Sequence, residues 1–173
     1  MKIYYLHGLN SNIKKNISKI NELKEIFDYE VIGIEYNSLD TADEIEKELT
    51  SKIDNTDFNT FIGTSLGGFW ADCLAHKYNG QSVLFNPCYK PSIILKNILI
   101  KQIVDTYIKY EFLTTNPKTV FIGRNDELIN CDDSSLYYKD RGYIVYFDGE
   151  HKIKTFKPFT KILQSVQYSL TCW

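Results

Sequence analysis

Arginine is nearly absent from this chain. Only Arg124 and Arg141 stand among 20 basic residues, against 22 acidic ones, and the formal charge is −2. A near-neutral balance without a guanidinium cluster gives no electrostatic footprint for DNA, RNA or an anionic membrane surface. Long apolar runs are missing too. The longest, residues 93–100, is interrupted by Lys96 and Asn97, well short of the roughly 18–20 residues that span a bilayer. The opening MKIYYLHGLN carries one charge and a brief apolar run, which does not read as a signal peptide. Cys73, Cys88, Cys131 and Cys172 are widely and irregularly spaced, with no C-x-x-C. Neither a zinc site nor a redox motif is expected, and a cytoplasmic protein with reduced thiols is the default. Linkers rich in proline, glycine or serine, internal repeats and low-complexity tracts are also lacking. The 173 residues fit a single domain over 1–173.

What is present is an alternation of short apolar runs with longer periodic stretches. Residues 3–6, 31–34, 60–62, 82–85, 119–122 and 143–147 read as buried strands. Ile13, Ile17, Ile20, Ile26 and Phe27 fall at helical spacing. Thr41-Ala42-Asp43-Glu44 is a capping box for a helix whose apolar face carries Ile45, Leu49 and Ile53. A further helix runs from Leu66 to about Tyr78 and stops at Asn79-Gly80. Pro158 sits in the first turn of a closing helix with Phe159, Ile162, Leu163, Val166 and Leu170 on one face. Asp132 and Asp133 read as caps for residues 134–139. Strands alternating with helices predict an α/β fold with a mostly parallel sheet of about six strands and helices on both faces. Active sites of such sheets lie beyond the carboxyl ends of the strands.

One of those strand ends carries chemistry. Gly63-Thr64-Ser65-Leu66-Gly67 is a G-x-S-x-G sequence between a strand and a helix. A nucleophilic serine needs a very tight turn there, and glycines two before and two after remove side chains that would collide. The helix beginning at Leu66 offers free N–H groups, so the Leu66 amide can stabilise an oxyanion. The plainer reading is a glycine-rich turn that lets the helix pack closely.

A catalytic serine also needs a base, and there are three histidines. His76 lies eleven residues beyond Ser65 on the same helix, about 16 Å away at 1.5 Å per residue, and reads as a surface or packing residue. His7 follows the first strand and suits a structural bond that shapes the Gly8-Leu9 loop. His151 follows the last strand, where a base could reach back to Ser65. Asp126 follows the fifth strand and can hold the productive tautomer of that histidine, or simply form an Asx turn; Glu127 is the neighbouring alternative. The order serine, acid, histidine is that of the α/β-hydrolases.

At these residues the chain resembles the α/β-hydrolase superfamily, and more narrowly the small YqiA/YcfP-like esterases. The segments that carry the resemblance are YLHGLNSN at 5–12, FIGTSLGGFWADCLA at 61–75, LFNPCYKPS at 84–92, GRNDELI at 123–129 and DGEHKI at 148–153. The resemblance implies a minimal hydrolase sheet that starts at the oxyanion-hole strand, without the N-terminal antiparallel strands of larger members. It implies Ser65 as nucleophile, Asp126 as acid, His151 as base, and the backbone N–H of Leu9 beside that of Leu66 as oxyanion donors. His7, Asn86 and Tyr89 are the expected substrate contacts. No metal or organic cofactor is required, and the expected partner is a small-molecule acyl ester or thioester. Residues 86–118 exceed an ordinary connection and predict either a small apolar cap or crossover helices. The competing functions are a catalytically silent ligand- or partner-binding protein of this fold, and an acyltransferase.

Overall fold

In the computed structural model, which describes residues 1–54 and 58–168, six strands form one sheet: β1 (Lys2–Leu6), β2 (Glu30–Ile34), β3 (Thr60–Thr64), β4 (Gln81–Phe85), β5 (Lys118–Gly123) and β6 (Tyr143–Phe147). Every pairing is parallel and the order is β2-β1-β3-β4-β5-β6. The chain first moves outward from β1 to β2, then returns to β3 on the other side of β1. The switch point therefore falls between the carboxyl ends of β1 and β3, where open α/β sheets place their ligands.

Alternation along the strands divides the core into two layers. Tyr4, Leu6, Phe61, Leu84 and Val120 face one side, with α2 (Ala42–Thr50), α3 (Leu66–Lys77) and α6 (Cys131–Tyr138). Ile3, Tyr5, Ile62, Val83, Phe85 and Phe121 face the other, against α1 (Ile17–Ile26) and α7 (Thr160–Tyr168). Both sheet faces are dry, so β3 and β4 are buried at every position. This is why their sequences read as continuous apolar runs rather than as alternation.

Helix starts follow local chemistry. The Thr41 hydroxyl accepts from the Glu44 N–H while the Glu44 carboxylate accepts from the Thr41 N–H, completing the expected capping box. At α6 the cap is Asn130, whose side chain accepts from the N–H groups of Asp132 and Asp133. The two aspartates occupy the first turn instead of capping it, where their charge favours the positive end of the helix. Ile17 is 53% exposed and does not belong to the buried face of α1. Ile53 lies beyond the end of α2 but still packs against the core. Pro158 sits in a 3-10 turn, Lys157–Phe159, that leads into α7; Leu170 lies outside the described residues, as does Cys172.

Residues 86–118 are built from short helical turns. They contain two four-residue helices, α4 (Pro91–Ile94) and α5 (Lys101–Val104), and a 3-10 segment, Asp105–Tyr110. Leu95, Val104 and Tyr107 are buried, Tyr107 against Phe69 and Trp70 of α3, while Ile93, Ile98, Ile100 and Ile108 face outward. β-Branched residues and the Lys96-Asn97 break favour short turns over one long helix. Among the described residues no helix is long and apolar enough to cross a membrane.

Candidate active site

The parallel sheet brings the ends of β1, β3, β4, β5 and β6 to one rim. Ser65 occupies the turn between β3 and α3 with φ 54° and ψ −123°, a region rarely adopted by residues other than glycine. Neighbouring strands hold it there. Its N–H donates to the Phe85 carbonyl, and its carbonyl accepts from the Cys88 N–H, each at 3.0 Å. The glycines of G-x-S-x-G are required by contact. A Cβ on Gly63 would stand 2.0 Å from the Gly67 carbonyl oxygen, and one on Gly67 would stand 2.3 Å from that of Leu6. The turn is therefore folded onto itself and pressed against the end of β1.

The serine, histidine and aspartate named from sequence meet. His151 Nε2 lies 2.9 Å from Ser65 Oγ, and His151 Nδ1 lies 2.8 Å from Asp126 Oδ2. A carboxylate can only accept, so Nδ1 carries the proton. The Nε2 lone pair then faces the serine hydroxyl, the orientation a general base needs. The His151 side chain is 12% exposed and that of Asp126 2%, so the carboxylate is shielded while the imidazole is reachable. Asp126 also performs the Asx role: its Oδ1 accepts from the N–H groups of Leu128 and Ile129. Both readings of this aspartate hold at once, because a carboxylate has room for more than one donor. Glu127 is directed elsewhere: its carboxylate accepts from the His151 backbone N–H at 3.0 Å, and that bond lowers its pKa below the usual carboxylate value.

The loop after β1 passes over the serine. A Cβ on Gly8 would lie 3.2 Å from Ser65 Cβ and 3.7 Å from Oγ, so a side chain there would crowd the serine. Leu9 follows on this loop, and Leu66 is the first residue of α3. His7 is fully buried, stacked on Tyr36, with its Nδ1 2.9 Å from the Gly8 carbonyl. The carbonyl must accept, so Nδ1 is the donor. Because the Gly8 carbonyl and the Leu9 N–H belong to one planar peptide, this bond fixes the direction of that N–H. Burial lowers the His7 pKa.

Of the three expected substrate contacts, His7 and Asn86 are sealed from solvent, being 0% and 3% exposed. Asn86 is corrected from a substrate contact to a tie between loops: its Oδ1 accepts from the Gly123 N–H at 2.7 Å, and its Nδ2 donates to the carbonyls of Glu150 and His151. Tyr89 is partly buried and stacks on Tyr137 of α6. His76 is remote from Ser65, Asp126 and His151; it stands 3.4 Å from the Thr115 N–H and packs beside Phe112. Sequence reasoning missed the roles of Asn86, Glu127 and Tyr36, whose hydroxyl donates to the His7 carbonyl. The only available signal was an asparagine standing directly after a strand, at a position that here takes φ 45°.

The profile of a family described as uncharacterised, UPF0227, matches residues 2–167. Among similar curated proteins, the UPF0227 protein of Vibrio cholerae serotype O1 is 28% identical over 164 residues, covering 88% of this chain and 91% of that one. The UPF0227 protein YcfP of Escherichia coli is 29% identical over 173 residues, covering 90% and 93%. Among solved structures, Est1E from Butyrivibrio proteoclasticus superposes with a TM-score of 0.75 at 14% identity, over 99% of this chain and 88% of that one. Mouse alpha/beta hydrolase domain-containing protein 10 gives 0.73 at 17% identity, over 98% and 89%. A monoacylglycerol lipase from Paleococcus ferrophilus gives 0.72 at 14% identity, over 95% and 94%. The fold is that of the α/β-hydrolases.

Proposed function

The chain belongs to the UPF0227 family, and from that premise we propose that it is a serine hydrolase cleaving carboxylic esters or acyl thioesters through an acyl-serine intermediate. One observation carries the reading: a strained serine whose Oγ lies 2.9 Å from an imidazole that is itself anchored on a shielded carboxylate. In this mechanism His151 takes the Ser65 proton as Oγ attacks the acyl carbonyl. It gives that proton to the departing alkoxide or thiolate, then draws one from water for the second attack and returns it to Ser65 Oγ as the acyl–serine bond breaks. Asp126 keeps Nδ1 protonated and supports the imidazolium. The N–H groups of Leu9 and Leu66 receive the oxyanion, and losing one such donor commonly costs about 10²–10³ in rate.

The substrate is a small acyl ester or thioester, with no metal or organic cofactor in the cycle. We assign the protein to the reducing cytoplasm. Cys73 and Cys88 are buried free thiols, and burial raises both pKa values.

A fluorophosphonate probe tests the reading. The wild-type protein is expected to be labelled covalently and Ser65→Ala to stay unlabelled. A folded wild type that resists labelling would instead be a silent binder of this fold. Turnover of p-nitrophenyl esters and acyl thioesters, with and without added alcohol or amine acceptors, separates hydrolysis from acyl transfer. A rise in rate from acetyl to medium-chain esters would indicate an acyl pocket beneath residues 86–118; a flat profile would remove it.

A further inference from the structure

The base of the proposed triad hangs from the last strand of the sheet. Among the described residues β6 has β5 on one side and no strand on the other, so the loop after it lacks the two-sided support that holds Ser65. Asn86, two strands inward, makes up for this. Its backbone N–H donates to the Phe121 carbonyl of β5 at 2.9 Å. Its Oδ1 accepts from the Gly123 N–H at 2.7 Å, where β5 gives way to the acid loop. Its Nδ2 donates to the Glu150 and His151 carbonyls at 2.9 and 3.1 Å. A single buried amide thus joins the ends of β4 and β5 and the loop beyond β6. Nothing larger fits at the junction: a Cβ on Gly123 would lie 2.6 Å from the Gly149 carbonyl oxygen and 3.2 Å from Asn86 Oδ1.

We propose that Asn86 is the positioning residue for His151, an inference that rests on the hydrolase reading of the site and names what holds its base in register. His151 is gripped at three points. Its N–H is held by Glu127, its carbonyl by Asn86 and its Nδ1 by Asp126. With both peptide groups fixed, the ring has little freedom except rotation about its own side-chain bonds, and Asp126 settles that. The amide is needed because the site requires a donor toward two carbonyls and an acceptor toward one N–H in a single planar group. Only asparagine or glutamine carries both functions in one amide, and glutamine is a methylene too long for a junction this tight. Aspartate, nearly the same shape, would turn a lone pair toward two carbonyl oxygens.

The test uses Asn86→Asp, with Asn86→Ser as a second variant should the aspartate destabilise folding, and Asn116→Ala as a control at a buried amide far from the rim. Both Asn86 variants are expected to lose about 10²-fold in kcat, the scale of a 1 Å misplacement, with KM for a p-nitrophenyl ester changed less than about threefold. The low-field proton resonance of His151 Nδ1 is expected to shift or broaden in both, and to stay in place in Asn116→Ala. An Asn86 variant with wild-type kcat and an unmoved resonance overturns the proposal. So does an Asn116→Ala protein that loses kcat equally, since the loss would then follow stability alone. If the wild type hydrolysed no ester, the resonance would still decide the positioning role, and the hydrolase reading would fail separately.

Discussion

Two polar clusters sit on the same face-to-face scaffold, one at each end of the strands, and they are built to opposite ends. At the amino end, Lys118 of β5 pairs with Asp72 of α3 at 2.8 Å, the two side chains being 1% and 9% exposed. Ser82, Thr114 and Asn116 add donors to the same carboxylate. Every strong bond of that serine and that carboxylate is spent inside the protein. At the carboxyl end, Ser65 is hydrogen-bonded to a base that is partly open to solvent, on a backbone held in an unfavourable conformation. A serine beside a carboxylate is thus inert when the pair is direct and sealed. With a partly exposed imidazole between them, the same two groups take the arrangement that the hydrolase reading requires.

The contrast can be broken most severely at the rim. His151→Ala is expected to lower kcat on a p-nitrophenyl ester by roughly 10⁵–10⁶-fold with an unchanged thermal midpoint, while His76→Ala leaves kcat near wild type. Equal losses in both would mean that the base is elsewhere. The opposite signature is expected at the amino end. Lys118→Met leaves the Asp72 carboxylate buried without its cation and should cost about 3–5 kcal/mol in urea unfolding, with kcat of the remaining folded protein unaltered.

A finer test separates strain from chemistry. Ser65→Gly should be inactive but more stable by about 1 kcal/mol, because relief of about 1–3 kcal/mol of backbone strain exceeds the roughly 0.5–1 kcal/mol of extra chain entropy that glycine brings. A less stable glycine variant in urea melts would show that the turn is not strained. The smallest effect is in acid. Burial holds the His7 pKa below its usual 6.5, so near that pH the unfolded chain binds a proton that the native one refuses. The His7 contribution is fully present above about pH 6.5 and is lost as the pH falls toward the lowered native value. His7→Gln should flatten this part of the stability profile, measured by urea unfolding at stepped pH; an unchanged slope would mean that His7 binds its proton equally in the native and unfolded states.

Much of this was legible because buried parallel strands and helix caps are local signals. The six apolar runs fell on β1 to β6, and the Thr41–Glu44 box formed as written. The meeting of these three side chains was legible because parallel topology makes each residue after a strand a neighbour of the others: Ser65, Asp126 and His151 are distant in sequence but share one rim. Residues 86–118 resisted reading because their apolar residues serve two purposes. Leu95, Val104 and Tyr107 are buried, Tyr107 against α3, while Ile98 and Ile108 face solvent, so composition alone left a small cap and crossover helices both open. Asn86 was misread for a related reason. An asparagine at a strand end points to a polar role, but which partners it bonds depends on Gly123, Glu150 and His151, three residues that only the folded chain brings to it.

Placing the imidazole beyond the outermost strand has a consequence for biosynthesis. The two glycine contacts of the Ser65 turn need only β1, β3 and α3, yet Ser65, His151 and Asp126 do not meet until β6 docks against β5 and the loop behind it reaches the asparagine. Such long-separation contacts form late. A nascent or truncated chain that lacks the loop behind β6 would therefore carry Ser65 without the imidazole that faces it in the folded protein.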